Sequence, residues 1–331
     1  MDLFSSLSPV AWGLIAAGAA SLILFRMNQD RQSGAGGSVD HYREEDLFPE
    51  FAAAAKMDEV RPGRTVRVLV LEPLKIWSHS ESPVTVFLVH GANARMAQFY
   101  PVAQLLQQRR YRVVAFDAVG GGRTEKLRDA AAYATDEYKL DFEVLFSKYA
   151  DPEGKNLVVG HSFGTVLSVH IAAKEPEKVG ALMLLSSAKH VPKGGHPILQ
   201  LPEWFLSLTF MRKLLGNGFR AKAFHPSADQ QLHTDHELMG KNNPIFAVKA
   251  FASALEWMDE DMIKKVKQPV HLMHGSEDNL LKLSNAQQLL PLFAPQQPKM
   301  TVLEGAGHMI IMEKPKEVAD EIHAFASAAL R

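Results

Sequence analysis

Residues 156–174 constrain the fold of this chain most. They read Asn156-Leu157-Val158-Val159, then Gly160-His161-Ser162-Phe163-Gly164, then TVLSVHIAAK. The apolar run suits a strand covered on both faces, and the last ten residues suit a helix. The five between must reverse the chain in one sharp turn. A glycine on either side of the serine is needed there, because a Cβ would collide with the flanking strand and helix. Such a turn lifts the Ser162 hydroxyl clear of the sheet edge. The helix N-terminus behind it favours developing negative charge. The pattern points to Ser162 as a nucleophile, against the blander alternative of a serine that caps an ordinary turn.

The surrounding chain alternates strands and helices. Arg64–Leu71, Val84–Val89, Arg112–Phe116, Asn156–Val159, Ala181–Leu185, Val270–Met273 and Met300–Leu303 read as strands. Tyr100–Arg110, Thr135–Tyr149, Phe163–Lys174 and Lys316–Leu330 read as helices. This order predicts an α/β fold whose parallel sheet is covered on both faces. Residues from about 190 to 265 interrupt it with apolar helical segments and no strong strand. They predict a helical cap over the carboxyl edge of the sheet, where open sheets bind ligands.

A serine hydroxyl needs a base. His308 follows the last predicted strand in the small-residue loop Gly305-Ala306-Gly307-His308. That base needs an acid to fix its tautomer. Asp278 follows the penultimate strand in Gly275-Ser276-Glu277-Asp278, with Glu277 as the near alternative. The order Ser162, Asp278, His308 fits a strand–loop scaffold that presents each residue at the same edge. An oxyanion needs donors, and the backbone N–H groups of Phe163 and of Ala92 in His90-Gly91-Ala92-Asn93 are the candidates. His90 is expected to bond locally. Asp117 is expected to fix the glycine-rich loop that follows it.

Composition removes other chemistries. The 331 residues contain no cysteine, which excludes disulfides, cysteine-ligated zinc and thiol nucleophiles. The fourteen histidines show no metal-ligand spacing, and no cofactor motif is found. The GGGR run after Asp117 lacks dinucleotide-binding spacing. With 36 basic against 37 acidic residues, nothing favours nucleic acid as a partner.

The N-terminal region has a different character. Residues 3–25 carry no charge, and Pro9–Phe25 would span about 25 Å as a helix. Arg26 and Arg31 follow at once. Residues 1–26 are therefore expected to form a single-pass membrane anchor, with the C-terminal side in the cytosol. Residues 27–63 read as a linker and approach segment, and 64–331 as the catalytic domain.

Over residues 64–331 the motifs HGAN, GHSFG, HGSEDN and GAGHM resemble those of the α/β-hydrolase superfamily. The ending HMIIMEKPKEV is similar to that of membrane-associated abhydrolase-domain proteins. The resemblance implies an eight-stranded, mostly parallel sheet, a helical cap and the triad Ser162, Asp278 and His308. It also implies carboxylic esters, often lipid esters, as small-molecule substrates. Two departures stand out. Some relatives carry His-x4-Asp, linked to acyl transfer, whereas the run from His308 here ends in Glu313. The family often has a proline shortly after the acid, and this chain reads NLLKL. Acyl transfer on the same triad, and a catalytically silent tethered adaptor, are the competing functions.

Overall fold

The computed structural model describes residues 48–74, 83–193, 195–240 and 243–330. An eight-stranded sheet runs through them in the order β1-β2-β4-β3-β5-β6-β7-β8. The strands are β1 (Lys56–Arg61), β2 (Arg64–Leu71), β3 (Thr85–Val89), β4 (Arg112–Asp117), β5 (Asn156–His161), β6 (Val179–Leu185), β7 (Val270–Gly275) and β8 (Lys299–Leu303). Only β2 runs against the rest, pairing antiparallel with both β1 and β4. From β4 to β8 every pairing is parallel.

Burial explains why these segments become strands. All five residues of β3 and all six of β5 are buried, as expected where helices cover both faces. Alternate residues face opposite layers. Phe87 of β3 meets Phe142 and Phe146 of helix α3 (Thr135–Tyr149), at 6.3 and 4.9 Å between ring centres. Helix α3 packs with α4 (Gly164–Lys174), on which α9 (Glu260–Lys264) also rests. On the other face α2 (Tyr100–Gln108) packs with the last helix, α12 (Pro315–Ala329).

The seven anticipated strands and four anticipated helices are present, with ends shifted by one or two residues. Helix α1 (Pro49–Ala54) falls in the approach segment, and strand β1, which was not anticipated, also lies before Arg64, so the sheet begins eight residues earlier than expected. The sequence KMDEVR of β1 is mostly polar because β1 is an edge strand with exposed side chains. Hydrophobic periodicity gives no sign of such a strand.

Between β6 and β7 the described residues form five helices and no strand: α5 (Glu203–Leu206), α6 (Thr209–Ala223), α7 (Gln230–Gly240), α8 (Ile245–Ala254) and α9. Short helices α10 (Leu283–Gln287) after β7 and α11 (Ile310–Glu313) after β8, with 3-10 segments at Met96–Phe99, Ala130–Tyr133, Pro197–Gln200 and Leu290–Gln296, complete the chain order. The anchor expected over residues 1–26 lies outside the described residues. Among those described, no helix is long and apolar enough to cross a membrane.

Candidate active site

The loops after β3, β5, β6, β7 and β8 converge at the carboxyl edge of the sheet. Ser162 stands between β5 and α4 at φ 54°, a left-handed conformation rare for a side chain of this kind. Close packing forces the strain. A Cβ on Gly164 would come within 2.1 Å of the Val89 carbonyl, and one on Gly160 within 2.4 Å of Ser168 Oγ. Gly91, from the β3 loop, lies directly against Ser162; a Cβ there would be 3.5 Å from its Oγ.

His308 and Asp278 meet at 2.7 Å between Nδ1 and Oδ2, both buried. Asp278 Oδ1 accepts from the backbone N–H groups of Leu280 and Leu281, at 2.9 and 2.7 Å. His274 Nε2 lies 3.2 Å from Oδ2 and donates to the Leu281 carbonyl at 2.7 Å. Burial opposes the charge on Asp278. The neighbouring His308 and the bonds from His274 and His308 outweigh it and hold the carboxyl below the ordinary carboxylate range. Asp278 is therefore an anion, and it draws the His308 proton to Nδ1, leaving the Nε2 lone pair available. Glu277 turns elsewhere, accepting from Ser276 Oγ at 2.8 Å and facing His225 at 3.3 Å.

The His308 backbone is held as firmly as its ring. Its carbonyl accepts from Ser186 Oγ at 2.8 Å and from His161 Nε2 at 2.9 Å. Its N–H donates to Ala223 at 2.7 Å. Glu313 accepts from Gly307 N–H at 3.1 Å and from His225 N–H at 2.8 Å, bracing the loop from below. Burial, with the neighbouring His308 ring acting in the same direction, pushes His161 down to about 3. His161 is neutral at ordinary pH, so its Nε2 proton serves the His308 carbonyl.

Sequence reasoning assigned no role to His161, Ser186, His274 or Glu313. His161 sits inside the GHSFG motif and His274 four residues before Asp278, so proximity was the available signal. Ser186, at φ 47° beyond β6, carries none in the sequence.

Ala92 N–H and Phe163 N–H, the expected oxyanion donors, find no hydrogen-bond acceptor among the described residues. His90 locks the Ala92 loop. Its Nε2 accepts from Ala118 N–H at 3.0 Å, so Nδ1 carries the proton and donates to the Gly91 carbonyl at 2.8 Å. Asp117 accepts from Met96 N–H at 2.7 Å and from Arg123 N–H at 3.3 Å, joining the β3 and β4 loops. Both residues behave as the sequence suggested. Ser162, His308, Gly91 and Ala92 line one cavity of about 350 Å³, roofed by Leu215, Phe219, Met239, Ile245 and Val248 of the helical insertion. Among the described residues no cluster of side chains could hold a metal ion.

Comparisons with known proteins agree with this architecture. The family model Hydrolase_4, described as serine aminopeptidase, S33, matches residues 80–315. Protein ABHD8 of Mus musculus is 23% identical over 271 residues, covering 80% of this chain and 60% of that protein. The chain thus spans about three fifths of the length of ABHD8. Monoglyceride lipase of Rattus norvegicus is 22% identical over 262 residues, covering 75% of this chain and 83% of the lipase. Among solved structures, an esterase from Exiguobacterium antarcticum superimposes with a TM-score of 0.69 at 16% identity, covering 82% of this chain and 99% of the esterase. The sheet, its helices and the match to more than two thirds of the sequence lead to one conclusion: this chain is a member of the α/β-hydrolase superfamily and belongs to the Hydrolase_4 family.

Proposed function

We propose that the chain is a serine hydrolase of carboxylic esters, with lipid or acyl esters as substrates. Ser162 Oγ attacks the ester carbonyl while His308 Nε2 takes its proton. Asp278 holds the imidazole and stabilises the imidazolium. The oxyanion of the tetrahedral intermediate accepts from Ala92 and Phe163 N–H. His308 then protonates the departing alcohol, leaving an acyl group on Ser162. Water, deprotonated by His308, releases the acid and restores the serine.

One observation carries this reading: the buried 2.7 Å His308–Asp278 bond, set beside a strained serine in a shared apolar cavity. The apolar roof favours an acyl chain. Similarity to a monoglyceride lipase favours it too.

The test is a panel of p-nitrophenyl and glycerol esters of graded acyl length, run beside aminoacyl anilides because the family takes its description from a peptidase. The reading expects ester turnover that Ser162→Ala reduces at least ~10⁴-fold without unfolding the chain. Turnover of anilides alone, or ester turnover unchanged in Ser162→Ala, contradicts it. Product analysis with glycerol as acceptor separates hydrolysis from acyl transfer.

The uncharged run of residues 3–25 supports a membrane-tethered setting with the catalytic domain in the cytosol. Residues 64–331 then form the hydrolase domain and about 190–265 its cap. Carbonate extraction of the full-length protein tests the tether, and release into the soluble fraction contradicts it.

A further inference from the structure

Glu313 lies five residues after His308 and takes no part in the proposed reaction. It does not line the cavity. Its half-buried carboxylate instead joins two separate segments. The Gly307 N–H donates to both oxygens, at 3.1 Å to Oε1 and 3.3 Å to Oε2. The His225 N–H donates to Oε2 at 2.8 Å. Gly307 directly precedes His308 in the loop after β8, whereas His225 belongs to the insertion, two residues past the end of α6.

The two segments also touch directly. The Ala223 carbonyl, at the end of α6, accepts from His308 N–H at 2.7 Å and from Met309 N–H at 3.0 Å. A Cβ on Gly307 would come within 2.7 Å of that carbonyl oxygen and of the His225 nitrogen, so only glycine lets the insertion lie this close. The loop of Asp278 joins the same junction. His225 Nδ1 accepts from Ser227 N–H at 3.0 Å, which leaves the ring proton on Nε2, facing Glu277 Oε2 at 3.3 Å.

Helix α6 carries this junction to the cavity. Phe219, about one turn before Ala223, and Leu215, about two turns before it, line the roof. A shift of α6 at Phe219 therefore moves the carbonyl that holds the His308 backbone.

We propose that Glu313 is a positioning residue for His308, clamping the end of α6 to the base loop so that an acyl chain seated under α6 steadies the imidazole. The inference rests on the serine-hydrolase reading for the task of the imidazole, but not for the clamp. A carboxylate suits the clamp because both of its oxygens accept. Glutamine in the same place would turn an NH2 group toward one of the two N–H donors. Misplacing a reacting group by about 1 Å costs up to ~10²-fold in rate. Short esters leave α6 unsupported and depend on the clamp alone. Long acyl esters hold α6 through Leu215 and Phe219 and so offset part of its loss.

Steady-state kinetics of Glu313→Gln on p-nitrophenyl acetate and decanoate test this. kcat falls about thirtyfold on acetate and about threefold on decanoate, while KM for each stays within about threefold. Glu313→Asp, which keeps both acceptors on a shorter arm, recovers part of the acetate rate. His225→Pro reproduces the pattern from the other side of the clamp by removing the N–H. Phe224, at ψ 151°, already has the extended backbone that a following proline requires. His225→Ala keeps the N–H and loses less. Thermal melts accompany each variant, and His225→Pro keeps the test decisive if Glu313→Gln fails to fold. Equal losses on the two esters, or a change in KM with kcat steady, overturn the proposal. Hydrogen exchange of the full chain reads the clamp without turnover. Glu313→Gln speeds exchange in both 219–228 and 304–310, and a rise in 304–310 alone also overturns the proposal. Faster exchange in both segments of a chain with no esterase activity counts against the serine-hydrolase reading alone.

Discussion

The two walls of the cavity are built differently. The floor is made of strand-end loops, and each proposed catalytic group there is fixed from several directions. Asp278 is held by two backbone N–H groups and by His274, and the His308 backbone by Ser186, His161 and Ala223. The roof is made of helices that present apolar side chains and Arg212 to the cavity. Its outer surface leaves Trp204 65% and Leu214 57% exposed. Polar ties between roof and floor include Ala223 with His308, His225 with Glu313 and Asn243 with Asn93. On the proposed mechanism, the floor carries the reaction and the roof the choice of substrate. Changes in the floor should lower turnover of every substrate, and changes in the roof should reorder substrates.

The largest effect expected from a conservative change is in the floor. Asp278→Asn keeps the size of the side chain but presents an amide to His308 Nδ1 and favours the wrong tautomer. It should lower kcat about 10³- to 10⁴-fold on short and long esters alike, with KM little changed. An effect confined to long-chain esters would break the comparison.

Ser186→Ala, the next in size, removes one of two donors to the His308 carbonyl. Steady-state kinetics should show kcat falling about tenfold with KM steady, because the ring shifts while the substrate wall does not. A KM change instead would move Ser186 to the substrate-binding side.

Smaller still on kcat are changes in the roof. Met239→Trp or Val248→Trp fills the cavity and should leave p-nitrophenyl acetate turnover within about threefold. Both should reduce kcat/KM for long acyl esters by about tenfold or more. Uniform loss on acetate and long esters would mean that the roof also shapes the reacting centre.

The floor should also be the acid-labile part. His161 is held near 3 in the fold, below the ordinary histidine value of about 6.5 in an unfolded chain. The unfolded chain then takes up the proton first as pH falls. Stability from His161 is complete above about pH 6.5 and declines toward pH 3, by at most about 1.4 kcal/mol per pH unit. Denaturant melts at pH 7, 6 and 5 should show a shallower decline for His161→Gln than for the unaltered chain. An identical slope would place the acid sensitivity elsewhere.

The same contrast decided how much could be read from the sequence. The floor was legible because its residues sit at strand ends with glycines that only close packing explains, as at Gly160 and Gly164. The partners of the triad were less so. Ser186 and His161 act through the His308 carbonyl, a backbone contact across more than 120 residues that leaves no local pattern. Strand β1 escaped because an edge strand with exposed polar side chains lacks the alternation that marks a strand. The helical character of the roof was visible, but which of its residues reach the floor was not: Asn243 of the insertion bonds the Asn93 carbonyl of the β3 loop, 150 residues away.

Reaction with a fluorophosphonate, followed by peptide mapping, measures the central claim most directly. The account predicts a single adduct, on Ser162, which is lost in Ser162→Ala while the variant melts like the unaltered chain. An adduct that persists in Ser162→Ala, or that maps to another serine, would contradict it.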